Sequence, residues 1–268
     1  MLYIIEAWSK TLMHPIVFKI GPLTIHTYGV LVAAGFLLGI ALAIRQAKKE
    51  GIPADKIVDL GFYILISALI GSRLFFVVIN AEHYLRNPID IVKIWEGGLV
   101  FYGGILLAIP TAYWYIKKKK LGIWSTADIF APSIAIAHAI GRLGCFSAGC
   151  CYGKPAEGLP WAVTFTDPEC LARLGIPLHP TQLYESLGEL INFLILITLR
   201  RYKSFNGQLF FTYLLLYSVL RFIVEFFRGD VDRGLITSSI SFPQGISILI
   251  FLIAIAGLIV LKRREGKN

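Results

Sequence analysis

Residues 27–46 read TYGVLVAAGFLLGIALAIRQ, an apolar run with no charge before Arg45. A helix of about 20 such residues matches the hydrocarbon thickness of a bilayer. Comparable runs recur at 57–80, 98–116, 127–147, 183–200, 208–228 and 239–261. The 268 residues therefore predict an all-α polytopic membrane protein with seven transmembrane helices. Composition agrees, since 56% of positions are hydrophobic and only 16% charged, which is too apolar for a soluble domain of this length. A single membrane domain is expected over 1–268. It comprises an N-terminal interfacial arm (1–26), spans one to four (27–147), an outer-side cap loop (148–182), spans five to seven (183–261) and a tail (262–268).

The basic residues orient the bundle. Fifteen follow the first, third, fifth and seventh spans, from Arg45, Lys48, Lys49 and Lys56 to Lys262, Arg263, Arg264 and Lys267. Eight are diluted over the longer connections on the other side. The positive-inside rule then puts the N-terminus outside and the C-terminus in the cytoplasm. A net charge of +9 distributed this way is a topology signal and argues against a nucleic-acid partner. Residues 1–26 lack the continuous apolar centre of a cleavable signal peptide. They read either as an amphipathic arm, which Trp8 and Phe18 would allow, or as a poorly ordered terminus. Pro155, Pro160, Pro168 and Pro177, with Trp161 and Phe165 among them, predict an ordered outer loop. There is no internal repeat, which weakens the case for a transporter built from duplicated halves.

Three arginines remain inside the spans or near their outer ends: Arg73, Arg142 and Arg221. A charge there costs several kcal/mol without partners. In the sixth span Tyr217, Arg221, Glu225 and Arg228 are spaced to line one helix face. Two cations against one anion leave positive charge for a bound anion, although an Arg221–Glu225 pair would also serve to lock helix packing. The fourth span ends in GRLGCFSAGCCYG, residues 141–153. Arg142 between Gly141 and Gly144 resembles a phosphate clamp, in which a planar guanidinium gives paired hydrogen bonds to an anion that small residues admit closely. The alternative is a small-residue packing seam with Arg142 reaching toward lipid headgroups. Arg73 and Tyr102 are bracketed by small residues in the same way. At the entrance of the fifth span, HPTQLYE (179–185) offers His179 at the interface, with Gln182 and Glu185 turned inward.

Cys145, Cys150, Cys151 and Cys170 all fall on the outer side, where disulfides can form. Adjacent cysteines rarely bond each other, so Cys170 with Cys150 or Cys151 is the favoured pair; small apolar fillers are the other reading. Scattered histidines give no signal for a metal site, and no cofactor is expected.

These motifs, taken with Tyr28-Gly29, Gly71-Ser72-Arg73, the segment from Gly97 to Gly104 and RFIVEFFR (221–228), resemble the bacterial prolipoprotein diacylglyceryl transferases, in the order that family has them. The resemblance runs from about Phe18 to the last helix. It implies a multi-pass protein of the bacterial cytoplasmic (inner) membrane that transfers diacylglyceryl from phosphatidylglycerol to the cysteine thiol in the lipobox signal peptide of a prolipoprotein. A thioether forms and glycerol phosphate leaves. The implied catalytic residues are Arg142, Arg221, Tyr102 and Glu225. Phosphatidylglycerol would be held by Arg142, Tyr28, Arg73, Tyr217, Arg228, Gly141, Gly144, Gln182, Glu185 and His179. Three positions depart from the family pattern. Tyr102 stands where well-known members have a histidine, and Cys145 and Cys150 stand where an asparagine and a glutamate are common. The alternatives are a divergent member that binds or transports lipid, or a transferase with another acceptor. No lysine stands mid-way along the last span, which disfavours a retinal pump.

Overall fold

A computed structural model describes residues 14–21, 23–93, 97–229, 234 and 240–266. Trp8 and the rest of the first thirteen residues lie outside it. The predicted helices are present. They are α1 (Thr27–Lys49), α2 (Ala54–Ile79), the short α3 (Ala81–Arg86), α4 (Phe101–Lys118), α5 (Ile123–Ala148), α6 (Thr181–Leu199), α7 (Gln208–Glu225) and α8 (Phe242–Glu265). Six of them, α1, α2, α5, α6, α7 and α8, are long and apolar enough to cross a membrane. The 18-residue α4 occupies the place of the expected third span but is not among those six. Their outward faces carry exposed Leu37, Phe62, Leu190 and Leu252, the surface expected where lipid is the solvent.

The chain is not purely helical. Residues 16–26, expected to be an arm, form an antiparallel hairpin of β1 (Ile16–Ile20) and β2 (Leu23–His26). Gly21, at a positive φ of 57°, turns the chain between them. A second small sheet pairs β3 (Val163–Thr164) with β4 (Pro177–Leu178). Phe146, Val163, Phe165, Ala172 and Leu178 form a core beneath it, so the proline-rich segment is ordered by its own apolar side chains.

Two compact units divide the chain, 1–41 with 127–268, and 42–126, with the boundaries inside α1 and α5. In the smaller unit α2 and α4 pack through glycines. A Cβ on Gly71 would overlap the Gly103 carbonyl, and one on Gly104 would lie 2.6 Å from the Ser72 hydroxyl oxygen. Gly71→Leu is therefore expected to destabilise this unit by about 1–3 kcal/mol, read as a lowered melting temperature in detergent. Gly29→Ala, where added bulk meets nothing within 4 Å, is the control.

In the larger unit α1 approaches α5 through Gly35 and Gly39. A Cβ on Gly35 would stand 2.9 Å from the Ala137 carbonyl oxygen. Farther along, Gly144 lets the Tyr28 backbone come as close as 3.3 Å to where a Cβ would be. Asp128, fully buried in α5, accepts from the backbone N–H groups of Gly207 (2.7 Å) and Phe210 (2.9 Å) at the start of α7, and pairs with Lys203 at 3.2 Å. A carboxylate placed on the donors that open a helix satisfies groups that have no partner within it.

Candidate active site

Three helices of the larger unit each contribute a pair of polar residues four positions apart, so that each pair shares a helix face. From α5 come His138 and Arg142, from α6 Glu185 and Glu189, and from α7 Arg221 and Glu225. They converge. Arg142 Nε stands 2.6 Å from Glu185 Oε2, and Arg221 Nη1 stands 3.3 Å from Glu185 Oε1. Arg221 Nη2 lies 2.9 Å from Glu225 Oε2, and Ser241 donates to the other Glu225 oxygen at 2.9 Å. Arg142 Nε also donates to His138 Nε2 at 3.1 Å, and His138 Nδ1 faces Glu189 at 3.5 Å. That arrangement fits the neutral imidazole protonated on Nδ1.

The cluster is buried. Side-chain exposure is 2% for Glu185, 0% for Glu189, 12% for Arg221 and 15% for Arg142. Its formal charge is opposite to what the α7 stripe alone predicts, because Glu185 and Glu189 join Glu225 against the two arginines, with Glu185 between them. Burial at these separations makes each pair costly to break and only weakly stabilising net. The contacts are close, yet several are poorly aimed. Both oxygens of Glu185 and of Glu189, Arg221 Nη1 and Gln182 Oε1 have no well-aligned hydrogen bond among the described residues. Such orphaned buried groups call for a ligand or a functional reason.

Other expected residues surround this core. Tyr217 packs its ring 5.6 Å from His138, and the charges of Glu185, Arg142 and Arg221 act on it. Tyr28 feels Cys145, Cys150, Cys151 and Arg142. Around Gly141 there is open space where a Cβ would stand, so this glycine is no packing seam. Gln182 donates to the Cys150 carbonyl at 2.7 Å, and Thr181 to the Cys151 carbonyl at the same distance.

Arg228 is placed otherwise than helical spacing predicts, and His179, Arg73 and Tyr102 have partners that the sequence did not indicate. Helix α7 ends at Glu225, so Arg228 is not on its face; buried, it bridges to Gly153 instead. The chain turns here because residues 152–155 pair with 177–179 on one side and with 227–229 on the other. Lys154 N donates to Phe227 O at 2.8 Å and Gly153 N to His179 O at 3.0 Å. His179 turns to Tyr184, 3.3 Å from its hydroxyl, and to the Phe227 ring. Arg73 is a strut within the smaller unit. Its guanidinium donates to the carbonyls of Asp90 (2.5 Å), Gly97 (2.7 Å), Ile91 (2.9 Å) and Gly98 (3.2 Å). Tyr102, in the same unit, is half-exposed at the start of α4 with its ring against Phe101.

All four cysteines are free. The sulfurs of Cys145, Cys150 and Cys151 lie within 4.8 Å of one another, and the favoured pairing partner, Cys170, is not in that group. Gly149 and Cys151 both adopt left-handed backbone conformations, φ 70° and 62°, which fold the end of α5 back on itself. Hydrogen bonds from the Cys145 and Cys150 thiols, helped by Arg228 and Arg142, hold Cys151 well below the usual thiol range, while Cys150 is pushed up. Burial, with the Asp167 charge adding to it, raises Cys170 to about 11.

Comparison with known proteins decides the family. The profile of the prolipoprotein diacylglyceryl transferases matches residues 15–260. The chain belongs to that family. A Bacillus velezensis relative named phosphatidylglycerol–prolipoprotein diacylglyceryl transferase is 36% identical, covering 96% of this chain and 95% of the relative. Proteins of the same name from Finegoldia magna and Staphylococcus haemolyticus are 39% and 38% identical. They cover 92% and 94% of this chain, and 94% and 89% of their own lengths. The members of the buried cluster that sequence reasoning missed are His138 and Glu189. The signal was available, since each stands four positions from an expected site residue, His138 before Arg142 and Glu189 after Glu185.

Proposed function

We propose that this membrane enzyme transfers the diacylglyceryl group from phosphatidylglycerol to the lipobox cysteine of prolipoproteins, forming a thioether and releasing glycerol phosphate. The observation that carries the substrate assignment is the mixed character of the buried cluster. Phosphatidylglycerol presents a phosphate, which only accepts hydrogen bonds here, and glycerol hydroxyls, which donate. Arg142 and Arg221 supply the guanidiniums for the first, and the buried carboxylates Glu185 and Glu189, whose oxygens make no well-aligned hydrogen bond, the acceptors for the second. A headgroup without a hydrogen-bond donor would leave the carboxylate oxygens unmatched.

In this reading the substrate thiolate attacks the glycerol carbon next to the phosphate, and charge grows on the departing phosphate oxygen. Arg142 and Arg221 face that oxygen in a site shielded from water, where preorganised cations act most strongly. Glu185 bridges the two guanidiniums and fixes their separation, and Glu225 orients Arg221. Tyr28 and Tyr217 line the approach of the headgroup. The seven helices cross the cytoplasmic membrane with the C-terminus inside, α4 being the third crossing, and the cluster faces the outer leaflet, where lipid and signal peptide meet.

The test is transfer of labelled diacylglyceryl from phosphatidylglycerol to a lipobox peptide by the purified protein. Thioether product is expected with the cysteine peptide and none with a serine peptide; a well-folded protein that makes no product would sink the assignment. Tyr102→Phe is expected to slow transfer only about fivefold, the worth of one neutral hydrogen bond near 1 kcal/mol. A complete loss would instead make its hydroxyl essential.

A further inference from the structure

Attack on the lipid requires a thiolate, and an ordinary cysteine thiol, with a reference pKa of about 8.5, is mostly protonated at neutral pH. The histidines near the cluster are committed elsewhere. His138 accepts from Arg142 on one nitrogen and faces Glu189 with the other, and His179 is turned to Tyr184. Glu185 and Glu225 are in contact with the guanidiniums, and Glu189 faces His138. Beside them stand three sulfurs that the proposed mechanism does not use.

We propose that Cys145, Cys150 and Cys151 bind one soft divalent ion of the zinc class, and that the fourth position of the tetrahedron takes the sulfur of the incoming cysteine. The proposal rests on the transferase reading above. Thiolates on a common zinc ion at about 2.3 Å stand roughly 4 Å apart. The three sulfurs, within 4.8 Å of one another, need only a small contraction. The loop is built to hold them there. Cys151 keeps a left-handed backbone that favours glycine, and the carbonyls of Cys150 and Cys151 are pinned by Gln182 and Thr181 from the start of α6.

Three thiolates around a dication leave one negative charge, and the guanidinium of Arg142 stands 4.0 Å from the Cys145 sulfur to offset it. Three protein ligands and one exchangeable position are the pattern of a reactive zinc site, whereas a structural site is closed by four. A bound thiol loses its proton as its sulfur coordinates, to water at the partly exposed Cys150 and Cys151 on the rim of the arginine cluster. The sulfur lone pair then forms the S–C bond to the glycerol carbon. The C–O bond to phosphate breaks, and its electron pair leaves with glycerol phosphate between Arg142 and Arg221. The thioether binds zinc far more weakly than the thiolate, so the product is released and the position is restored.

Cobalt(II), a spectroscopic stand-in for zinc, tests this on the full chain in lipid nanodiscs after chelator treatment. One equivalent is expected to give a thiolate-to-cobalt charge-transfer band and tetrahedral visible bands. These should shift on adding a lipobox peptide with cysteine and stay fixed with the serine peptide. Cys150→Ser should lose the band, as should Cys151→Gly, which relieves the left-handed strain and so keeps the fold. Cys170→Ser should retain it. No band in the wild-type chain, or a band indifferent to the cysteine peptide, overturns the proposal. Full transfer by protein verified to be metal-free overturns it too, while leaving the transferase reading intact. A thiol-responsive band without any transfer would support the metal site and remove that reading.

Discussion

Arg142→Ala is expected to abolish diacylglyceryl transfer, lowering turnover by at least ~10²–10³, the usual cost of removing one preorganised donor to a developing oxyanion. A structural role predicts loss as well, because the substitution takes from Glu185, which is 2% exposed, its nearer cation at 2.6 Å and leaves it Arg221 at 3.3 Å. Breaking one side of such a buried pair costs about 3–5 kcal/mol. The two roles separate in the double variant Arg142→Gln with Glu185→Gln, which removes both charges at nearly constant volume. Its melting temperature should recover most of what Arg142→Ala loses, and transfer should stay absent. Recovery of transfer along with stability would show that the arginine only holds the helices together.

The second large effect lies far from the chemistry. Asp128 is about 14 residues before Arg142 on the same helix, roughly 21 Å along its axis. Asp128→Ala removes the acceptor for the Gly207 and Phe210 N–H groups and the 3.2 Å partner of Lys203. A loss of about 3–5 kcal/mol is expected, seen in thermal melting in detergent. Asp128→Asn, which keeps one acceptor oxygen, should lose less. Transfer per folded molecule should be unchanged in both, since Asp128 touches no residue of the arginine cluster. A normal melting temperature for the alanine variant would show the pair to be dispensable.

The helices were legible because apolar length is a signal that the bilayer imposes directly. The site was half legible. An arginine in an apolar run announces its own cost, so Arg142 and Arg221 stand out, and Glu225 follows from helical spacing. Which carboxylate faces Arg142 depends on how α6 packs against α5, and no local pattern encodes that. The end of α7 was misplaced by the apolar continuity of Phe226 and Phe227. What stops the helix is pairing of 227–229 with 152–155, a contact between residues more than seventy positions apart. The hairpin at 16–26 escaped for a related reason, since its alternation is short and β-branched and aromatic residues there also suit an interfacial arm. Arg73 shows the reverse case. Its intramembrane position suggested lipid, but the carbonyls that satisfy it belong to a loop whose course only the fold reveals.

The origin of each arginine's partner also sets a timetable for biogenesis. Arg221 and Glu225 share one helix and one face, so α7 can leave the translocon already neutralised by its own i,i+4 pair. Arg142 has no carboxylate on α5 within such reach, and its partner Glu185 is synthesised some forty residues later. While the ribosome makes the proline-rich stretch between them, α5 is a helix with an uncompensated charge near its end, and Glu185 will be equally uncompensated when it emerges. Integration of α5 and α6 is thereby made a joint event. The salt bridge between Arg142 and Glu185 also keeps a nascent chain from committing α5 to lipid before α6 has been made.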